Sequence, residues 1–374
     1  MIRKFLAFIF LVLVVGSAVF LIVARERTVA VETAGGGGTN EHRAMWYDKL
    51  AGGLVHCRLC PNDCRLSEGQ IGICRARKNI GGELYSMVYG KIASVHVDPI
   101  EKKPFFHVLP GSTAFSIATP GCNMRCLFCQ NWEISQAFPW DIRTSAATPE
   151  EVVDAALKSG APSIAFTYTE PTIFYEYMID IAKLAKQKGL KTVVISNGYI
   201  NPEPLRALLP FIDAYKVDFK AFNPKFYKEL TGGSLDPVLN TMKLIQKEGV
   251  WLEIVTLLVP GHNDSEEEIR GLARWIKDNL GPDVPLHFSR FHPQHKMLDL
   301  PPTPVETVIR ARQIAMEEGL HFVYTGNVAY EPGETTYCPG SGEPAIERRG
   351  QFVVQNNMKN GKGPDGQAIP GIWE

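Results

Sequence analysis

Hydrophobic and polar residues alternate along this chain with two different periods, and the switches between them mark out its elements. Short β-branched runs at 163–168, 192–196, 214–220, 251–259, 286–291 and 321–324 read as strands. Between them apolar positions recur at helical spacing, which predicts helices over 172–188, 205–209, 237–248, 265–280 and 304–318. Thr148-Pro-Glu-Glu151 is a capping box with Pro at the first helical position, and Gly160 ends the helix that it opens. Ser265 and Glu268 form a second capping box. With an apolar stretch at 113–119 added, the series amounts to six or seven βα repeats. That pattern predicts an α/β fold, a partial or full (βα) TIM-type barrel over 113–330 in preference to a doubly wound sheet.

The ends differ from the middle. Residues 5–23 are unbroken apolar or small, close to the ~20 needed to cross a bilayer, and predict a transmembrane helix within an anchor at 1–27. A cleaved signal peptide is the competing reading, although its apolar region is normally shorter, about 7–15 residues. Arg3 and Lys4 on one side balance Arg25 and Arg27 on the other, so charge does not fix the orientation. A flexible linker follows at 28–45 with its Gly35 to Gly38 run, then a Cys-rich segment at 46–112. Residues 331–374 read as a C-terminal extension with a disordered tail after Arg349, rich in Gly, Asn and Lys. Lys and Arg total 39 against 40 Asp and Glu, a balance that argues against a nucleic-acid partner.

The chemistry begins with cysteine. Cys122, Cys126 and Cys129 stand in Gly-Cys-Asn-Met-Arg-Cys-Leu-Phe-Cys-Gln-Asn-Trp, directly after a Pro120-Gly121 turn. A cubane iron-sulfur cluster normally takes four thiolates, so three leave one iron open to another ligand. Zinc, which usually closes on paired cysteine sets, fits this spacing less well. A second group, Cys57, Cys60, Cys64 and Cys74, offers four thiolates within eighteen residues. It suits a zinc site or an auxiliary iron-sulfur cluster, or two disulfides if the segment is exported. Cys338 stands alone, with Ser341 where a partner cysteine would sit, and reads as a structural thiol.

Barrel chemistry gathers at the carboxyl ends of strands. Thr169 with Glu170, Ser196 with Asn197, Asp218 with Lys220, and Arg290 with His292 occupy such positions. Each taken alone is a plain solvated loop residue, and Glu170-Pro171 a plain helix start. Asp98 to Lys103 is either a substrate-contacting loop or a solvated face, and His42, His56, His96 and His321 read as surface or core residues.

The C-x3-C-x2-C spacing resembles that of radical S-adenosylmethionine (SAM) enzymes. Cys57-x-x-Cys60-Pro, Asp98-Pro-Ile-Glu-Lys-Lys-Pro104, Pro110-Gly111, Tyr168-Thr-Glu-Pro-Thr172, Val217-Asp-Phe-Lys220 and Thr325-Gly-Asn327 narrow the resemblance. Together they look like the AmmeMemoRadiSam system radical SAM enzymes, relatives of the pyruvate formate-lyase activating enzymes, from about Trp46 to Arg349. The resemblance implies a [4Fe-4S] cluster on Cys122, Cys126 and Cys129, and SAM cleaved reductively to a 5′-deoxyadenosyl radical. It implies SAM contacts from Phe128, Thr169, Glu170, Asn197, Asp218, Lys220 and His292. An electron donor such as flavodoxin or ferredoxin, and a protein substrate to be activated or modified, come with it. The membrane segment and Ser341 depart from the family pattern. A low-potential cluster belongs in a reducing compartment, so the expected arrangement is a single-pass membrane protein with its catalytic part in the cytoplasm. The alternative is a membrane-tethered iron-sulfur or zinc protein with a non-catalytic, partner-binding role.

Overall fold

The computed structural model describes residues 42–374. Eight strands make its main sheet: β1 (Ser94–Pro99), β2 (Thr113–Ala118), β3 (Ser163–Phe166), β4 (Lys191–Ser196), β5 (Ala214–Asp218), β6 (Trp251–Leu258), β7 (Leu286–Arg290) and β8 (Val323–Gly326). Their spatial order is their chain order, and β2 through β8 are parallel. β1 runs antiparallel on β2, with Ser94 opposite Ala118 and Pro99 opposite Thr113. β1 and β8 are the two edges and do not pair, so the barrel is partial. The parallel strands are covered on both faces, which is why β3 and most of β2 and β4 are buried along their whole length.

Six helices cover the outside: α1 (Pro149–Ser159), α2 (Tyr175–Gln187), α3 (Pro202–Leu208), α4 (Leu235–Lys247), α5 (Glu266–Leu280) and α6 (Val305–Glu317). At α1 the boundary chemistry is as the sequence predicts. Thr148 N–H donates to Glu151 Oε2 at 2.8 Å, Glu151 N–H donates to Thr148 Oγ1 at 3.3 Å, and Gly160 closes α1 at φ 75°. The second capping box forms by half: Ser265 Oγ accepts from Glu268 N–H at the start of α5, but the Glu268 carboxylate accepts from Phe222 N–H and Asn223 Nδ2 and not from the Ser265 backbone.

The expected transmembrane helix requires correction. Among the described residues no helix is long and apolar enough to cross a membrane. The longest, α5, has 15 residues, short of the ~20 a bilayer needs. It also carries Glu266, Arg270 and Arg274, which form ion pairs at its surface. Residues 5–23, on which the expectation rested, lie outside the described residues.

The tail expected to be disordered is structured. Phe352–Asn356 pairs antiparallel with Pro344–Arg349, and that strand pairs in turn with Thr336–Tyr337. Ile372 N–H donates to His107 O at 2.7 Å, and Leu109 N–H donates to Ile372 O at 2.7 Å. Ile369 is buried beside Phe106, Phe322 and Cys338, so the lone thiol is a core residue, as expected. The tail thus packs where β1 and β8 fail to meet. Buried Arg348 donates to Phe106 O and Thr336 Oγ1 and pairs with Glu101.

The Cys-rich segment forms two small antiparallel sheets, one from His42–Arg43, Glu83–Ser86 and Arg77–Ile80, the other from Tyr47–Lys49, Val55–Cys57 and Arg65–Leu66. It therefore begins ahead of residue 46. A fully buried ion pair between Arg77 and Glu176 docks it on α2, and Met45 N–H donates to the same carboxylate at 2.7 Å. All eight cysteines are free thiols, so the disulfide alternative is not realised.

Candidate functional site

The three motif cysteines lie on the loop that leaves β2, at the carboxyl end of the sheet. Gly121 opens the loop at φ 103°, and a Cβ there would stand 2.5 Å from Cys74 O, so only glycine lets the two segments meet. The loop is pinned by backbone bonds to the turn after β5. Arg125 N–H donates to Thr231 O at 2.7 Å and Leu127 N–H donates to Leu230 O at 2.9 Å. Across the loop, Asn197 at the end of β4 donates through Nδ2 to Asn123 Oδ1 at 2.9 Å and approaches Cys122 Sγ at 3.8 Å. Asn123 Nδ2 donates to Tyr199 O at 2.7 Å, and Cys129 Sγ lies 3.2 Å from Ser135 Oγ. Phe128 is buried against Phe226, ring centroids 5.7 Å apart, and walls off one side.

Burial favours the neutral thiol at Cys122 and Cys126. Burial pushes the Cys122 thiol up, and nearby Glu170 pushes in the same direction. Burial likewise raises Cys126, to about 12, with Lys220 as the opposing charge. Buried thiols held this way ionise when a cation binds them, because a coordinated thiol gives up its proton.

Glu170 is buried behind the loop and accepts three hydrogen bonds: Thr172 N–H at 2.9 Å, Ser196 Oγ at 2.7 Å and Asn197 N–H at 2.8 Å. It ties the end of β3 to the end of β4. Burial raises its pKa while these bonds lower it, and Oε2 with one partner keeps acceptor capacity for an ammonium. Thr169 Oγ1 donates to Thr119 O at 2.8 Å. The buried hydroxyl of Thr119, flanking this turn, has no hydrogen-bond partner among the described residues.

Asp218 sits between two lysines, with Lys216 Nζ at 2.6 Å and Lys220 Nζ at 3.2 Å. Burial raises its carboxyl, but the two lysines outweigh burial and bring it to about 2. Asp218 in turn holds Lys220 protonated against its own burial, and Lys220 Nζ lies 6.0 Å from the Phe128 ring centroid.

Below these residues Asp98 on β1 pairs with buried Lys103 and accepts from Tyr168 Oη at 2.5 Å. Burial lowers Lys103 to about 8, although Asp98 opposes this and Lys216 adds to it. The Asp98 to Lys103 segment is therefore no solvated face, since both charged ends are buried.

Cys122, Cys126, Cys129, Phe128, Asn197, Asp218 and Lys220 thus come together, with Thr169 and Glu170 behind the loop. His292 does not join them: it is exposed after β7, while the next turn meets the cysteine loop through Lys296 N–H to Leu127 O and His295 stacked on Trp132. Arg290 is spent on Thr303 O at 2.6 Å. The sequence reading missed Asn123, hidden as a motif spacer, and Lys216. Two residues before Asp218 on a strand, Lys216 must share its face, so period two carried the signal. The second cysteine group, Cys57, Cys60, Cys64 and Cys74, lines one pocket beside Ile173. Among the described residues no three His, Cys, Asp or Glu side chains are arranged to hold a single metal ion.

Residues 116–276, from within β2 to within α5, match the Radical SAM superfamily model. An uncharacterised protein of Methanocaldococcus jannaschii is 48% identical over 305 residues, 82% of this chain and 91% of that protein. A pyruvate formate-lyase-activating enzyme of Clostridium pasteurianum is 30% identical over 166 residues, 42% of this chain and 67% of its own. A radical SAM methyltransferase structure from Sphaerobacter thermophilus overlaps 63% of this chain and 70% of its own at 17% identity, with a TM-score of 0.47. With the motif cysteines held at the carboxyl end of a partial βα barrel, the family match over 116–276 and the activating-enzyme relative, the chain belongs to the radical SAM superfamily and is a radical SAM enzyme.

Proposed function

We propose that Cys122, Cys126 and Cys129 hold a [4Fe-4S] cluster whose fourth iron takes SAM, and that the enzyme activates or modifies a partner protein as the activating enzymes among its relatives do by name. The observation that carries this is the cysteine loop itself, three thiols fixed by backbone bonds beside Asn197 and Lys220. When bound, the cluster and SAM supply the reductive cleavage that yields a 5′-deoxyadenosyl radical.

The chain's own residues orient and exclude. Glu170 Oε2 accepts from the SAM ammonium, and the Thr119 hydroxyl, unpartnered among the described residues, supplies a further contact at the same turn. Asp218, about a third exposed, keeps lone pairs for the ribose hydroxyls while Lys216 and Lys220 keep it ionised. Phe128 and Phe226 exclude water from one side of the cluster loop. The narrower AmmeMemoRadiSam assignment rests on the motif set and is part of this proposal. So is a low-potential electron donor of the flavodoxin or ferredoxin class. The free state of the thiols supports a reducing compartment, and the catalytic part is proposed to work in the cytoplasm.

The test is the SAM dependence of 5′-deoxyadenosine release by anaerobically reconstituted protein. Glu170→Gln is expected to raise the KM for SAM at least about tenfold, the loss of one charge-assisted hydrogen bond, with iron content unchanged. An unaltered KM would remove Glu170 from the SAM site.

A further inference from the structure

The turn that leaves β3 is built on a conformation that aromatic residues rarely adopt. Tyr168 has φ 62°, in the left-handed region, and Thr169 N–H donates back to Thr167 O at 2.8 Å, closing a three-residue turn around it. With a positive φ at its centre such a turn is the rare, strained form, and a bulky residue at that φ is an outlier. Strain of this kind persists only where the surroundings over-determine it. Glu170 follows two residues later, so the direction of its carboxylate depends on this turn.

Contacts on both sides hold Tyr168 in place. Its Oη donates to Asp98 Oδ2 at 2.5 Å and lies 3.0 Å from Lys103 Nζ, and that ammonium also stands 4.4 Å from the ring centroid. Asp98 on β1 and Lys103 just after it are themselves a buried ion pair, so the phenol is anchored at the edge of the sheet. On the other side Asn131 Nδ2 donates to Tyr168 O at 2.7 Å, two residues past Cys129. Thr169 Oγ1 bonds Thr119 O, three residues before Cys122. The turn is thus tied to both ends of the cysteine loop, and to β1 through one hydroxyl whose bond to a carboxylate is charge-assisted.

We infer that Tyr168 is a positioning residue: its phenol, clamped by Asp98 and Lys103, holds the 167–170 turn in the shape that presents Glu170 to SAM beside the cysteine loop. This rests on the reading of that turn as a SAM contact. Substitution separates the hydroxyl from the backbone. Tyr168→Phe removes the anchor and keeps the strain, so the turn relaxes. Tyr168→Gly removes both, because glycine takes a positive φ at no steric cost.

The full chain is reconstituted anaerobically with iron and sulfide as wild type, Tyr168→Phe, Tyr168→Gly and Glu170→Gln. Each protein is assayed for iron, titrated with SAM by the EPR change of its reduced cluster, and followed for 5′-deoxyadenosine release. Iron equal to that of the wild type is expected throughout, since no cysteine is touched. Tyr168→Phe is expected to weaken SAM binding about tenfold, in the titration and in KM, with kcat within about twofold, and Tyr168→Gly to recover most of that loss. A SAM affinity in Tyr168→Phe equal to that of the wild type overturns the inference. So does a loss in Tyr168→Gly as large as in Tyr168→Phe, because the side chain then acts by itself and not through the turn. Tyr168→Asn, which also tolerates this φ, takes the place of the glycine variant if that one does not fold. Unaltered affinity in Glu170→Gln beside a weakened Tyr168→Phe keeps the clamp and removes only the carboxylate from the SAM site. A wild type that binds iron but shows no response to SAM sinks the SAM reading itself, and the clamp with it.

Discussion

Asp98 carries a clear pH signature. Burial raises its carboxyl, but Lys103, Tyr168 and Lys102 together bring it down to about 2, below the unfolded value of about 3.9. A depressed carboxylate stabilises the fold above its unfolded pKa, and the contribution is lost as pH falls from about 4 toward 2. The gap is worth roughly 2–3 kcal/mol. Urea denaturation of Asp98→Asn should therefore show a shallower loss of stability between pH 5 and about pH 2 than the wild type. Parallel curves would mean that the pair with Lys103 is not held in solution. Glu170 differs, because its three donors are buried with it. Glu170→Ala strands the Ser196 hydroxyl and two backbone N–H groups, and a destabilisation of about 1–3 kcal/mol is expected by denaturant titration. The same geometry explains what sequence could not tell about this site. Glu170, Ser196 and Asn197 were each legible as polar strand ends, but their bonds to one another depend on β3 and β4 lying side by side. His292 was just as conspicuous and is exposed, because position after a strand does not give direction.

Elements were legible where local chemistry decides them. The capping box at Thr148, the Pro at N1 and the Gly160 terminus lie within a dozen residues of one another, and α1 forms between them. Thr148→Ala is expected to cost about 1 kcal/mol. The tail was illegible for the opposite reason. Its Gly- and Asn-rich stretches hide a few scattered apolar side chains, and its partners, His107 and Leu109, stand more than 250 residues earlier in the chain. Ile369, 2% exposed, anchors it among Phe106, Phe322 and Tyr324. Ile369→Ala should lower stability by about 2–5 kcal/mol, read from the denaturant midpoint. A midpoint equal to that of the wild type would show that the tail is not part of the folded unit.

At the scale of the whole molecule, an open run of seven parallel strands places the cysteine loop, Asn197, Asp218 and Lys220 at one end, with the Cys-rich segment packed beside the loop and the C-terminal extension packed where the sheet fails to close. The central claim is that the three thiols of this loop carry the catalytic cluster. Anaerobic release of 5′-deoxyadenosine from SAM under a low-potential reductant, compared between the wild type and Cys126→Ser, tests it most directly. Steady product is expected from the wild type and none above background from the variant; equal product from both would mean that the three thiols do not carry the cluster.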